Sequence, residues 1–202
     1  MVLASASPAR RALLNAAGID VEVVVSGVDE SAVREPSAQE LCLTLARMKA
    51  TEVARRLGVE GLSISPGGRL LVLGCDSVLE FDGQVLGKPV DAADAVQRWQ
   101  NMRGRSGVLH TGHHLIDLAG ATAGAVGSTV VHFADLSDEE IAAYVGTGEP
   151  LNVAGAFTID GLGGPFVERI EGDHGTVVGL SLPLLRHLLD DLGVRLTDLW
   201  KR

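Results

Sequence analysis

Asp76 follows the apolar run Leu70-Leu-Val-Leu73 after two intervening residues, Gly74 and Cys75. A run of that kind reads as a strand buried on both faces, ending at Gly74-Cys75-Asp76. The carboxylate would then sit at a strand's carboxyl end, where ligands of α/β sheets bind. There it could hold a hard divalent cation through oxygen or take a proton from water. The plainer alternative is a turn aspartate capping local amides. Glu30 likewise follows a strand and offers a second carboxylate. Lys49 falls four residues after Leu45, so its stem runs along the apolar side of a helix. It either snorkels to water or brings a point charge to a cleft. Lys88 lies in Gly87-Lys88-Pro89. Arg10 and Arg11 occupy the first turn of a helix, where the dipole favours acidic side chains. They are either solvated there or matched to a phosphate. Two carboxylates, two lysines and an arginine make a plausible site for a metal-bound triphosphate.

These groups need a scaffold. Met1 to Ala4 reads as a short buried strand, and Ser7 as an N-cap with Pro8 at the first helical position of a helix that runs to Ala17. Val21 to Val25 is a β-branched strand. Ser37-Ala-Gln-Glu40 is a capping box opening a helix to Leu57. Val59 to Arg69 reads as a loop. Asp82-Gly83 marks a hairpin between Val78–Phe81 and Gln84–Leu86. A helix capped by Asp91 runs from about Ala92 to Met102 with Ala95, Trp99 and Met102 inward. Two longer strands, Val108–Leu118 and Val126–Ala134, precede a second capping box at Ser137-Asp-Glu-Glu140. Asn152 to Gly164 is irregular, Val177 to Leu180 suggests another strand, and a last helix spans Pro183 to Gly193. The mixture implies an α/β or α+β fold.

The chain of 202 residues has room for one sizeable domain or two lobes sharing a cleft. Hydrophobic residues at 46% and charged residues at 21% are ordinary globular values and argue against disorder. At 3% aromatics, the core should be built from Val, Leu, Ile and Ala, with little to stack on single-stranded nucleic acid. A net charge of −9 argues against nucleic acid polymers and anionic membranes as partners. Cys42 and Cys75 form neither a disulfide framework nor a metal knuckle. With no leader-like opening and no apolar stretch long enough to span a bilayer, the expected compartment is cytoplasmic.

In order along the chain, these features resemble the Maf family of nucleotide pyrophosphatases, also called septum formation proteins. Leu3-Ala-Ser-Ala-Ser-Pro8 with Arg10 resembles the opening LAS-x-SP-x-R signature, and Val28-Asp-Glu30 the acidic motif. Ala46-Arg-Met-Lys49-Ala50, Gly74-Cys-Asp76-Ser77 and Leu86-Gly-Lys88-Pro89 resemble the lysine, GADT-type and LGKP motifs. Gly104-Arg-Ser106, His110-Thr111, Glu149-Pro150, Ala154-Gly-Ala-Phe157 and Asp160-Gly161 follow in the family's order. The resemblance implies a single domain over residues 1–202 of inosine-triphosphatase-like α/β architecture, a twisted mixed sheet with two lobes flanking a deep cleft. It implies water attack on the α-phosphorus of a nucleoside triphosphate, releasing pyrophosphate with help from Mg²⁺ or Mn²⁺. On matching positions, Asp76 would be the general base and hold the metal with Glu30. Lys49 and Lys88 would join the catalytic set, and Ser7, Arg10, Thr111 and Asp160 would bind substrate. A homodimer and a house-cleaning role fit the family, and its name alone suggests a link to arrest of cell division.

The chain departs from the pattern in two places. Ala9 stands where many members carry the first of two arginines. The late loop reads Asn152-Val-Ala-Gly-Ala-Phe-Thr-Ile-Asp160-Gly rather than DKAGAYGIQG, which leaves pyrimidine, methylated guanine or broad base preference open. Competing readings are weaker. His110, His113 and His114 lack an HExxH partner for zinc. Cys75 as nucleophile has Asp76 beside it, which would raise its pKa, and Gly161-Leu-Gly-Gly164 lacks the strand–turn–helix setting of a dinucleotide fingerprint. The alternative from another class is a non-catalytic nucleotide sensor or a partner-binding protein acting in cell division; the sensor would bind nucleotide tightly without turnover.

Overall fold

The computed structural model describes residues 1–59 and 69–201. In chain order it contains β1 (Val2–Leu3), α1 (Pro8–Ala16), β2 (Glu22–Val23), α2 (Ala38–Val59), β3 (Leu71–Phe81), β4 (Gln84–Leu86) and α3 (Ala92–Met102). Then come β5 (Ser106–Asp117), β6 (Thr122–Phe133), α4 (Asp138–Gly146), β7 (Val167–Glu171), α5 (His174–Val178) and α6 (Leu182–Asp191). The fold is α/β with a mixed sheet in the order β2-β1-β3-β5-β6-β7, and β4 pairs with β3 off this path. β1 pairs in parallel with β2 and with β3, whereas β3–β4 and β6–β7 are antiparallel. Among the described residues, no helix is long and apolar enough to cross a membrane.

The chain divides into two compact units. The first comprises Met1–Asp76, Thr111–Gly127 and Gly179–Arg202. In it β1 and the Leu71–Cys75 part of β3 are buried on both faces, as their apolar residues require. Leu3, Leu71, Leu73 and Cys75 pack with Leu14 of α1 and with Leu185, Leu188 and Leu189 of α6. On the opposite face Val2, Ala4 and Val72 pack with Ala50, Val53 and Leu57 of α2. Two glycines let α2 come close to the strands. A Cβ on Gly74 would overlap the Ala46 carbonyl, and one on Gly112 would overlap the Cys42 carbonyl. Because side chains alternate along a strand, Asp76 points to the same side of β3 as Gly74, towards α2.

The second unit comprises Ser77–His110 and Ser128–Val178. Trp99 is fully buried, its indole N–H donating to the Ala156 carbonyl at 2.8 Å. It meets Phe133 and Tyr144 edge-on at 5.6 and 5.7 Å, an arrangement favoured by the ring quadrupoles. The expected all-aliphatic core therefore holds for the first unit only. The chain's few aromatic rings are concentrated in the second, at Phe81, Trp99, Phe133, Tyr144, Phe157 and Phe166.

Several other expectations need correction. β3 does not end at Gly74-Cys75-Asp76 but runs on through Phe81, so the two expected strands are one. Val177–Leu180 is not a strand; the chain there leaves α5, and the strand that closes this part of the chain is β7 at Val167–Glu171. The strand expected over Val21–Val25 is only Glu22–Val23. Most of the loop expected over Val59–Arg69 lies outside the described residues.

Candidate active site

In the first unit, the two glycines seat α2 on the sheet and bring Lys49 to Asp76. The ammonium nitrogen lies 2.5 Å from Asp76 Oδ1 and 2.9 Å from Glu30 Oε1. Lys49 therefore does not snorkel: it bridges two carboxylates that lie far apart in sequence. Lys49 and Asp76 are nearly enclosed, each side chain 12% exposed, while Glu30 is 47% exposed. Burial lifts the Asp76 carboxyl above the ordinary aspartate range, and the charges of Lys49 and Arg10 only partly oppose this. A carboxylate so placed is a stronger base than a solvated one.

Arg10 is buried, and its Nε and Nη1 donate to two backbone carbonyls and a serine hydroxyl. Nε donates to the Gly179 carbonyl at 2.7 Å, and Nη1 donates to Ser5 Oγ and the Cys75 carbonyl, each at 3.0 Å. These bonds engage Nε and Nη1 of the arginine that the resemblance assigns to phosphate. With those donors engaged, it serves as fixed positive charge near Asp76 and ties α1 to β3 and to the residues before α6. Arg11, by contrast, is exposed and borders, with Ser7, Pro8, Asn15 and Val23, a surface cavity of about 280 Å³. The Ser7 hydroxyl accepts from the Arg10 amide at 3.4 Å, as an N-cap should. Thr111, the other expected substrate contact in this unit, is fully buried.

Lys88 and Asp160 belong to the second unit, and both are exposed. Arg98 shapes the turn at Lys88: paired with Asp94 at 2.7 Å, it donates to the carbonyls of Gly87 at 2.7 Å and Lys88 at 3.5 Å. The loop bearing Asp160 is organised by Glu149. Its carboxylate accepts from the amides of Leu162 and Gly163 at 3.0 Å each, from the Tyr144 hydroxyl at 3.2 Å and from the Thr158 hydroxyl. Partial burial would raise its pKa, but the bonds from Thr158, Leu162, Gly163 and Tyr144 outweigh that and hold it below the usual glutamate range.

The cysteines are not nucleophiles in this setting. Burial pushes Cys42 up to about 12, with the Asp76 charge adding to the effect, and burial likewise pushes Cys75 up to about 11. For a metal, the protein offers a pair of carboxylates converging on one point, which the Lys49 ammonium marks with its own positive charge. Oxygen donors in that number suit a hard cation such as Mg²⁺, which keeps waters and takes phosphate oxygens as its other ligands.

The Maf family, described as "Maf-like protein", matches residues 1–192 of this sequence. The chain belongs to the Maf family. It is 67% identical over 203 residues to a protein named nucleoside triphosphate pyrophosphatase from Salinispora tropica, covering 100% of this chain and 88% of that one. A protein of the same name from Streptomyces coelicolor is 57% identical, with 99% and 94% covered. One from Microcystis aeruginosa is 50% identical, with 99% and 98% covered. Among solved structures, a HAM1 protein from Coxiella burnetii aligns at a TM-score of 0.43 and 18% identity, covering 67% of this chain and 73% of that chain. That overlap is too slight to bear on function. Within the Maf family frame, the Lys49–Asp76–Glu30 cluster is formed by the lysine, GADT-type and acidic motifs.

Proposed function

We propose that this Maf-family chain is a nucleoside triphosphate pyrophosphatase that splits its substrate into monophosphate and pyrophosphate, with Asp76 as the base that activates water for attack at the α-phosphorus. The observation that carries this reading is the meeting of Asp76, Glu30 and Lys49 in a half-enclosed setting. The names of the relatives point to the same activity.

Each residue has a task it is suited to. Asp76, with its raised pKa, accepts the proton that water loses on attack. The Lys49 charge opposes the burial of Asp76 and so favours its ionised form. An ammonium has three donors, so beyond Asp76 and Glu30 it retains one for a phosphoryl oxygen, where charge builds in the transition state. Arg10 adds positive background near Asp76 without leaving its carbonyl partners. Asp76 and Glu30 would hold Mg²⁺ or Mn²⁺, which when bound neutralises phosphoryl charge and polarises the P–O bonds. Ser7 and Arg11, on the cavity at the start of α1, offer a hydroxyl and an exposed guanidinium to the polyphosphate.

The test is a panel of common and modified nucleoside triphosphates assayed with Mg²⁺ or Mn²⁺, scoring pyrophosphate and orthophosphate separately. Equal yields of monophosphate and pyrophosphate are expected. Orthophosphate without pyrophosphate would reject attack at the α-phosphorus, and tight nucleotide binding without products would favour a sensor.

A further inference from the structure

Glu30 lies in a loop, half-exposed, and among the described residues its carboxylate has only Lys49 as partner. An exposed glutamate on a loop would ordinarily sample many positions, each costing rotamer and backbone entropy to fix. This loop has a second attachment to α2. Arg56 Nε donates to Glu52 Oε1 at 2.7 Å, its Nη1 to the Val25 carbonyl at 3.1 Å, and its Nη2 to the Ser26 carbonyl. Gly27 follows directly with φ of +66°, a left-handed turn that sends the chain on to Glu30. Lys49, Glu52 and Arg56 are spaced i, i+3, i+7 and so share one side of α2. The loop is held at its start by Arg56 and at Glu30 by Lys49. Hydrogen bonds from Arg55 and then Arg56 hold Glu52 down at about 2, so the carboxylate that aims the guanidinium stays ionised at any working pH.

Resting on the reading of Glu30 as a metal-holding carboxylate, we propose that Arg56 is a positioning residue: it grips two successive carbonyls and so presents Glu30 to the divalent cation. Only a planar guanidinium can bind Glu52 and both carbonyls at once; a lysine ammonium is a single point on a flexible stem. Partners that orient a metal ligand are worth about 10- to 100-fold in metal affinity.

The experiment measures Mn²⁺ binding to the nucleotide-free full chain by calorimetry and by electron paramagnetic resonance. Proteins compared are the parent, Glu30→Gln, Arg56→Met, Arg56→Lys, Glu52→Gln and the Glu30→Gln/Arg56→Met double variant. Arg56→Met should weaken Mn²⁺ binding about tenfold, with no rescue by lysine and a smaller loss in Glu52→Gln. The double variant should bind no more weakly than Glu30→Gln alone, because Arg56 acts through Glu30. A merely structural arginine would instead give additive losses, which would overturn the proposal. Parent-like binding by Arg56→Met alongside weakened Glu30→Gln would overturn it too, leaving Glu30 as a ligand. Parent-like binding by Glu30→Gln would remove the reading of Glu30 itself and the proposal with it. Should Arg56→Met not fold, Glu52→Gln decides: an unchanged affinity there overturns the clamp.

Discussion

Replacing Lys49 with methionine keeps the stem that packs along α2 but removes the charge shared by two carboxylates. Lys49 and Asp76 are both nearly enclosed, so the loss resembles removing one partner of a buried pair, which costs about 3–5 kcal/mol. The stranded oxygens lie no farther apart than the two contacts laid end to end, about 5 Å, where like charges at an effective dielectric of about 20 repel by about 3 kcal/mol. Glu30 is 47% exposed, so solvent screens most of that repulsion. The lower figure, about 3 kcal/mol, is therefore the expected total. In a chain of this length about 1 kcal/mol corresponds to about 2–4 °C in Tm, so the drop should be about 6–12 °C. The pH dependence follows from Asp76. Its pKa is already raised by burial, and removing Lys49 takes away the main opposing charge. A carboxyl with a raised folded-state pKa destabilises the fold above that pKa, and the cost disappears as pH falls through it. Lys49→Met should thus approach the parent at mildly acidic pH and diverge at neutral pH. At the proposed metal site Mn²⁺ would supply positive charge to the same pair and should restore most of the neutral-pH loss through linkage. Thermal melts with chelator or Mn²⁺ at both pH values test this. Equal Tm for variant and parent at neutral pH, or a deficit unchanged by both acid and Mn²⁺, would refute the reasoning.

Asp76→Asn should lower kcat by about 10²- to 10⁴-fold with nucleotide affinity, read by calorimetry, changed only a few-fold. In the parent, kcat should fall with acid through a pKa above the ordinary aspartate range, because burial raises Asp76 and the base must be ionised; a pH–rate profile reads this. Gly74→Ala would drive a methyl into the Ala46 carbonyl. It should cost at least about 1–3 kcal/mol in urea unfolding and lower activity as α2 lifts Lys49 from Asp76. Glu149→Gln should remove part of the acid sensitivity of stability. The depressed Glu149 pKa contributes stability above its unfolded value that is lost as pH falls through the folded one, which melts across acidic pH would show.

Local chemistry was readable in the sequence wherever short-range rules govern it. Ser7-Pro8, Asp91 and Ser137-x-x-Glu140 cap the helices they were expected to cap, and Ala95, Trp99 and Met102 face inward. Asp82-Gly83 makes its turn with φ of 50° and 71° at the two residues. What escaped was long-range. Gly74 and a charge usually break a strand, so the sequence points to one ending at Asp76. Gly74 is instead the point where α2 touches β3, and the charge is tolerated mid-strand because Lys49 answers it. The two arginines of α1 look equivalent in sequence, yet one is buried against carbonyls supplied by residues 75 and 179 while the other is exposed. Nothing local distinguishes them. Of the site residues, Asp76, Glu30 and Lys49 meet. A signal for Arg56 existed, a Glu-x-x-x-Arg pair two turns after the lysine, but its carbonyl partners lie about 30 residues upstream.

The central claim is that water activated at Asp76 attacks the α-phosphorus. Turnover in ¹⁸O-labelled water, with products resolved by mass spectrometry, tests this most directly. The account expects one label per turnover in the nucleoside monophosphate and none in pyrophosphate; label in pyrophosphate with unlabelled monophosphate would contradict it.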